Sequence, residues 1–448
     1  MGTGWGGSGL VPALLRNRVY RRYWGASTVS MFGDQVSTVA MPLTAVLVLH
    51  AQAAEMGYLT ALQWLPSLLF GLHAGAWADR RGQRRRTMIA ADVGRALLLT
   101  TIPVCFALGV LGLWQLYEVA FAVGTLSIMF NVSDGTLFVS IVEPREYVDG
   151  QSLIYVSRSM SFIGGPSLGG LLVQFLTAPF AILTDALSFL GSAFMLHRIR
   201  PAEPPPDDGT GGTTAGLRFI ARSGIVRAAL LGVAVINFFH MMFSALFLLY
   251  AVRELHVRAD VLGMVLGIGA CGGFLGSLAT KRLTQRTGVG WSCVAGCLLF
   301  TAPLALVPLA GTAHGGNVLG LLLAAEFISG FGVMLLDITV GAIFAAVIPG
   351  AVRSRVTGAF QAINYGTRPP GALLGGLLGT VLGLREALWI AVIGGVVGAV
   401  AIIPSPLARF RFPSPFLAAP PEPAPPAPVP VPSPSPAPSP EMSPAAKG

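Results

Sequence analysis

The feature that most constrains this chain is a succession of apolar runs, each about as long as a bilayer is thick. They lie near 23–49, 56–78, 87–111, 114–140, 152–176, 179–197, 228–251, 260–280, 291–311, 315–341, 356–382 and 384–404. A helix rises 1.5 Å per residue, so about 20 residues cross a hydrocarbon core of roughly 30 Å. The runs are too long and too continuous for barrel strands, which alternate over about ten residues. Only 11% of the residues are charged, less than half of what a water-facing skin requires, and mean hydropathy is +0.70. Lipid is therefore the expected solvent, and the fold class is an all-α integral membrane protein of twelve transmembrane helices.

Orientation follows from arginine. Of 29 basic residues, 23 fall in the arms and loops of one side, three (Arg253, Arg258, Arg385) on the other, and three (Arg95, Arg158, Arg368) within spans. The positive-inside rule places both termini in the cytoplasm and the protein in the cell (inner) membrane. The net charge of +9 is thus topogenic, with no nucleic-acid partner implied. The first apolar run is a full span and no short segment closes on a small-residue cleavage site, so a cleaved signal peptide is not expected. Cys105, Cys271, Cys293 and Cys297 all lie inside apolar runs without His or acidic company, which reads as packing; no metal and no cofactor is expected.

The domain plan is a cytoplasmic arm (1–22), six spans (23–198), a cytoplasmic linker (199–227) opening on Pro204-Pro205-Pro206-Asp207-Asp208, six more spans (228–404), and a tail (405–448). From Pro404 onward the chain holds 17 of its 33 prolines, mixed with Ala and Ser, a composition that cannot bury a core and is expected to be disordered. The two six-span segments are related. Gly165-Pro166-Ser167-Leu168-Gly169-Gly170-Leu171-Leu172 returns as Gly371-Ala372-Leu373-Leu374-Gly375-Gly376-Leu377-Leu378, 206 residues later, and Gly75-Ala76-Trp77-Ala78-Asp79-Arg80-Arg81 has a weaker echo at 276–282. Such parallel repeats place a substrate cavity at their interface, near mid-membrane.

Two motifs carry mechanism. In loop 2–3, Gly75 lets helices approach, Asp79 ends a span with a carboxylate, Gly82 permits a tight turn, and Arg80 and Arg84 supply positive charge. A carboxylate set against basic groups and a helix N-terminus can latch one conformation and release it in another. In span 5, Pro166 kinks a helix whose glycines 165, 169 and 170 let a neighbour pack and slide.

These two segments resemble signatures of the major facilitator superfamily. Gly-x-x-Ala-Asp-Arg-x-Gly-x-Arg is similar to its loop 2–3 element, with Trp77 in place of the usual Leu and Gln83 in place of a basic residue. Gly165-Pro166-x-x-Gly169-Gly170 is similar to the span 5 element of its exporters and antiporters. Phe32-Gly33-Asp34 and Asp185-Ala186-Leu187-Ser188-Phe189 resemble the enterobactin-exporter and macrolide-efflux branch. The resemblance covers about 18–404 and implies two pseudo-symmetric six-helix bundles (the major facilitator fold). It also implies a monomeric secondary transporter, not an enzyme, exporting a small amphipathic molecule against protons. Drug, siderophore and secondary metabolite are the substrate classes, and a major facilitator importer or lipid flippase is the alternative. A membrane sensor or enzyme fits less well, because no nucleophile–base pair, ligand cluster or appended domain is present. Span 4 has no Arg, so the proton-transfer arginine of many drug antiporters has no counterpart.

Ionisable groups inside a membrane are costly and functional by default. Asp34, in mid-span 1, ranks first as the proton carrier and Glu326 of span 10 second. Arg158 and Arg368 are candidate counter-ions or anion-binding groups. Asp92 with Arg95 reads as a structural ion pair, Asp134 and Asp337 as partners of loop arginines, and Asp185 as a hydrogen-bond acceptor in packing. Gln35, Asn131, Asn237, His240 and Asn364 are candidate polar contacts in an otherwise apolar cavity.

Overall fold

The protein is described by a computed structural model covering residues 13–81, 83–143, 146–200, 214–312, 317–349 and 353–410. Every regular element among them is helical: α1 (Arg18–Leu43), α2 (Ala53–Arg81), α3 (Arg84–Ala107), α4 (Leu113–Ile141), α5 (Tyr147–Leu176), α6 (Ala178–His197), α7 (Thr214–Arg222), α8 (Gly224–Arg253), α9 (Ala259–Thr287), α10 (Val289–Thr301), α11 (Leu306–Ala310), α12 (Asn317–Val347), α13 (Arg353–Gly366), α14 (Arg368–Val381) and α15 (Leu384–Val400). Nine helical stretches among the described residues are long and apolar enough to cross a bilayer, α10 and α11 counting as one. The twelve expected crossings rest further on α2, on the broken pair α13–α14, and on α15 with its 17 residues.

The break between α13 and α14 has a plain cause. Pro369 and Pro370 have no N–H, so the carbonyls of Tyr365 and Gly366 lose their usual i+4 donors. Where span 11 reads as one continuous run by hydropathy, the backbone divides it at Thr367 into two helices of 14 residues. Within the 199–227 segment lies the short helix α7, which packs against α13 and α8. At the far end, residues 401–410 turn back on α10: the N–H of Gly290 donates to the Phe410 carbonyl at 3.1 Å, and Leu407 and Ala408 are buried. Ordered chain therefore runs past 404, while 411–448 lies outside the described residues.

Helices α1–α6 pack among themselves through the pairs α1–α5, α1–α6, α2–α4, α3–α4 and α3–α6; α8–α15 do so through α9–α12, α10–α12, α8–α14 and α8–α15. Between the two sets run two seams, α5 on α9 and α2 on α14. Each seam crosses at paired glycines. A Cβ on Gly170 would meet the Gly263 Cα at 2.9 Å, and one on Gly57 would meet the Gly376 Cα at 2.9 Å. Small residues let backbones touch, which is how helices gain packing where lipid supplies no hydrophobic drive. The seams are one contact made twice, because Gly57 and Gly263, like Gly170 and Gly376, stand 206 residues apart.

That spacing also governs the turns. His50 and His256 both adopt left-handed backbone, at φ 51° and 54°, and Thr177 and Gly383 share positive φ, at 75° and 105°. The N–H of Ala51 reaches the Ala45 carbonyl at 2.8 Å, and that of Val257 reaches Ala251 at 2.9 Å, the same bond in both halves. All four turns sit at the arginine-poor end, where the seams also close. There Arg253 donates to Gln52 Oε1 at 2.8 Å and to the His50 carbonyl at 2.7 Å, and the N–H of Ala54 donates to Thr380 Oγ1 at 3.1 Å.

Candidate functional site

At the arginine-rich end the helices part around a cavity of about 720 Å³. Its walls come from the start of α1 (Tyr23), the second half of α2 (Ser67, Gly71), the end of α4 (Asn131, Asp134), the start of α5 (Tyr155, Arg158) and the length of α13 (Gln361, Tyr365). Both halves contribute, so the cavity lies between them. The Tyr23 hydroxyl donates to Asp134 Oδ1 at 2.7 Å, and Arg158 bears electrostatically on the same carboxylate. Two expected residues, Asn131 and Arg158, line this space directly.

A second polar group is buried among α1, α3, α4 and α6. Asp92 and Arg95 form an ion pair one turn apart on α3, as their spacing suggests. The Arg95 guanidinium lies over the rings of Phe189 (3.9 Å) and Phe130 (4.6 Å) and reaches Ser127 Oγ at 3.3 Å. Desolvated cation–π contacts of this kind contribute about 2 kcal/mol. On α6, Asp185 accepts from Ser188 Oγ at 3.1 Å and, across to α1, from Ser37 Oγ. Gly33 makes this approach possible, since a Cβ there would run into Ser188 and Asp185. Asp34, next in sequence, is half-buried, and its carboxylate has no hydrogen-bond or ion-pair partner among the described residues. It is an electrostatic neighbour of Asp185, Asp92 and Arg95. Three carboxylates thus share one guanidinium, leaving two negative charges when all are ionised. The sequence ranks Asp34 first and Glu326 second and gives Asp185 only a packing role; that Asp185 belongs with Asp34 appears from the electrostatic link between the two carboxylates.

The third group surrounds the break in span 11. Arg368, the first residue of α14, is plated by Trp64 of α2 (3.9 Å) and Tyr365 of α13 (4.5 Å). His240 of α8 packs its ring on Phe300 at 4.6 Å and is an electrostatic neighbour of Arg368. Its Nδ1, the Oδ1 of Asn364 and the Nε of Arg368 are buried polar atoms without a hydrogen-bond partner.

The remaining expected residues are elsewhere. Glu326 on α12 rests against Gly269 of α9 and is apart from the other acids. Asn237 donates to the Val233 carbonyl of its own helix at 3.0 Å, a packing role. Gln35 packs where a Cβ on Gly165 would sit. The span 5 motif is where α5 is pressed between two partners: Gly165 and Gly169 face Gln35 and Val36 of α1, while the Pro166 carbonyl and Gly170 face Gly263 of α9. Its copy repeats the pattern, with Gly371 and Gly375 on Phe238 and Met242 of α8. Of the loop 2–3 latch, Gly75, Asp79 and Arg80 are helical in α2 but their side chains, like Gly82 altogether, lie outside the described residues; Arg84 opens α3 and is buried. Cys293 and Cys297 are free thiols.

Residues 8–418 match the family model described as transmembrane secretion effector. The MFS-type transporter YfiS of Bacillus subtilis is 26% identical over 387 residues, covering 82% of this chain and 86% of the relative. The multidrug efflux pump Tap of Mycolicibacterium fortuitum is 25% identical over 376 residues, covering 79% and 87%. In fold, the chain is similar to the nucleoside transporter NupG (TM-score 0.68, 13% identity, covering 86% and 99%) and to a bacterial homologue of the iron transporter ferroportin (0.67, 16%, 88% and 99%).

Proposed function

The chain belongs to the transmembrane secretion effector family of major facilitator transporters, and from that premise we propose that it exports a small amphipathic molecule by alternating access coupled to proton entry. One observation carries the reading. The cavity is open at the arginine-rich end, which the positive-inside rule assigns to the cytoplasm, while glycine seams and the Arg253 clasp draw the opposite end together. A solute then enters from the cytoplasm, and rocking of 18–198 against 226–404 about the two seams exposes it outside. The kinship with multidrug efflux pumps and the span 5 motif favour outward movement over import.

The coupling proton is assigned to Asp34, with Asp185 as its neighbour. The carboxylate is unpartnered, and its cluster holds one guanidinium against three acids, so an arriving proton lowers the charge that must cross low dielectric when the helices move. The reading is tested in inside-out vesicles from cells making the protein, with a panel of fluorescent amphipathic dyes. Dye should accumulate when the vesicle interior is acidified, and D34N should abolish this while inserting at the normal level. Dye leaving the vesicles under the same gradient would mark an importer, and undiminished uptake by D34N would remove Asp34 from coupling.

A further inference from the structure

The two halves match at 206 residues in seams and turns, yet their central chemistry differs. The position of Asp34 on α1 corresponds to His240 on α8, and that of Arg158 on α5 to Asn364 on α13. One half offers an acid cluster that binds a proton. The other offers a guanidinium, an imidazole and an amide.

Arg368 is the unusual member. A guanidinium is seldom retained inside a membrane without a carboxylate in contact. Among the described residues it forms no ion pair: Asp337 of α12 bears on Arg368 electrostatically without a salt bridge or hydrogen bond to it. The rings of Trp64 and Tyr365, themselves 5.9 Å apart, pack on it from adjacent sides, and its N–H groups have no hydrogen-bond acceptor among the described residues. Nε is buried and has no hydrogen-bond partner among the described residues, and the same holds for Nδ1 of neighbouring His240 and for Oδ1 of Asn364, in the last turn of α13 just before the break. Buried polar atoms are nearly always satisfied, so orphans on Arg368 and on its neighbour His240, with a third on Asn364 four residues away in sequence, point to a partner that is a ligand. Tyr365 also lines the cavity, which brings that place beside the solute path, and Arg158 supplies a positive group on the cavity wall itself.

We propose that Arg368, His240 and Asn364, at the break in span 11, bind the anionic end of the transported molecule, with Trp64 and Tyr365 stacking on its apolar body, so that the substrate class is an amphipathic carboxylate or a similar organic anion. The site uses residues of α2, α8, α13 and α14, so it is complete only while the halves are arranged as they are here. The inference rests on the export reading for its place in a cycle, but binding is measured without a gradient, and the two fail separately.

The test uses purified full-length protein in detergent, with Trp fluorescence followed during titration by 1-naphthoate, its methyl ester and 1-naphthylmethylamine; W64F identifies the share of the signal from Trp64. The acid should bind at least about tenfold more tightly than the ester, and the amine least, as expected when a charge-assisted bidentate contact is made or lost. R368Q should bring the acid down to the ester's affinity while leaving the ester unchanged, which also shows that the variant is folded; R368K should keep part of the preference. Should R368Q fail to fold, H240F and N364A each should weaken the acid alone. An ester or amine that binds as tightly as the acid, or a full acid preference in R368Q or in both H240F and N364A, overturns the proposal.

Discussion

Arg95 illustrates what a single residue costs and contributes in lipid. Its charge is neutralised by Asp92 and its faces are covered by Phe189 and Phe130. Removing one partner of such a buried pair leaves an uncompensated charge, which costs about 3–5 kcal/mol. R95Q should therefore melt well below the wild type in detergent, and D92N/R95Q should recover much of the loss, as thermal unfolding will show. Glu254, just beyond α8, answers to pH. Burial, reinforced by Glu386 and opposed by Arg385, holds its carboxyl above the ordinary range. A group raised on folding stabilises at acidic pH and loses that contribution as pH rises through the folded value. E254Q should accordingly raise the melting temperature more at pH 8 than at pH 5. At this scale the sequence is legible for ionisable residues in apolar runs: Asp34, Arg158 and Arg368 stand out because lipid makes each one expensive. The company they keep is not legible. Ser37 reaches Asp185 across 148 residues of chain, and Trp64 meets Arg368 from another half altogether.

Among the helices, the seams do most to decide which shapes are accessible. A side chain at Gly170 or Gly376 has only the backbone of the facing helix before it, so neither neighbour can turn aside. G376L should push α14 off α2 and favour the form open at the arginine-poor end. Oxidative cross-linking of A54C with T380C, positions joined at 3.1 Å in the parent, should fall in that background. R253A, which removes the clasp onto His50 and Gln52, should act in the same direction to a smaller extent. The glycine motif and its copy are readable as a repeat because six of eight residues recur in place. The paired left-handed histidines are not, since one residue in a turn carries no pattern until both halves are laid over each other. Hydropathy likewise passes over the break at Thr367: two prolines lower an average only slightly, whereas their missing N–H groups end a helix.

For the molecule as a whole, orientation is the property on which the cycle depends. Periplasmic and cytoplasmic activity reporters fused before Met1 and after Arg411 should both read cytoplasm, and a reporter in the turn at His256 should read the opposite side. Reporters on opposite faces would mean an odd number of crossings and would invert the direction assigned to the cavity. The doubled seam bears on origins. Within one six-helix unit, the surface at Gly57 and the surface at Gly170 each meet the counterpart of the other, so two copies of a single unit would satisfy both contacts about a two-fold axis. An ancestral gene half this long could thus have worked as a homodimer. Two copies joined in one chain can diverge, and here one position keeps an acid, Asp34, where its counterpart carries an imidazole, His240.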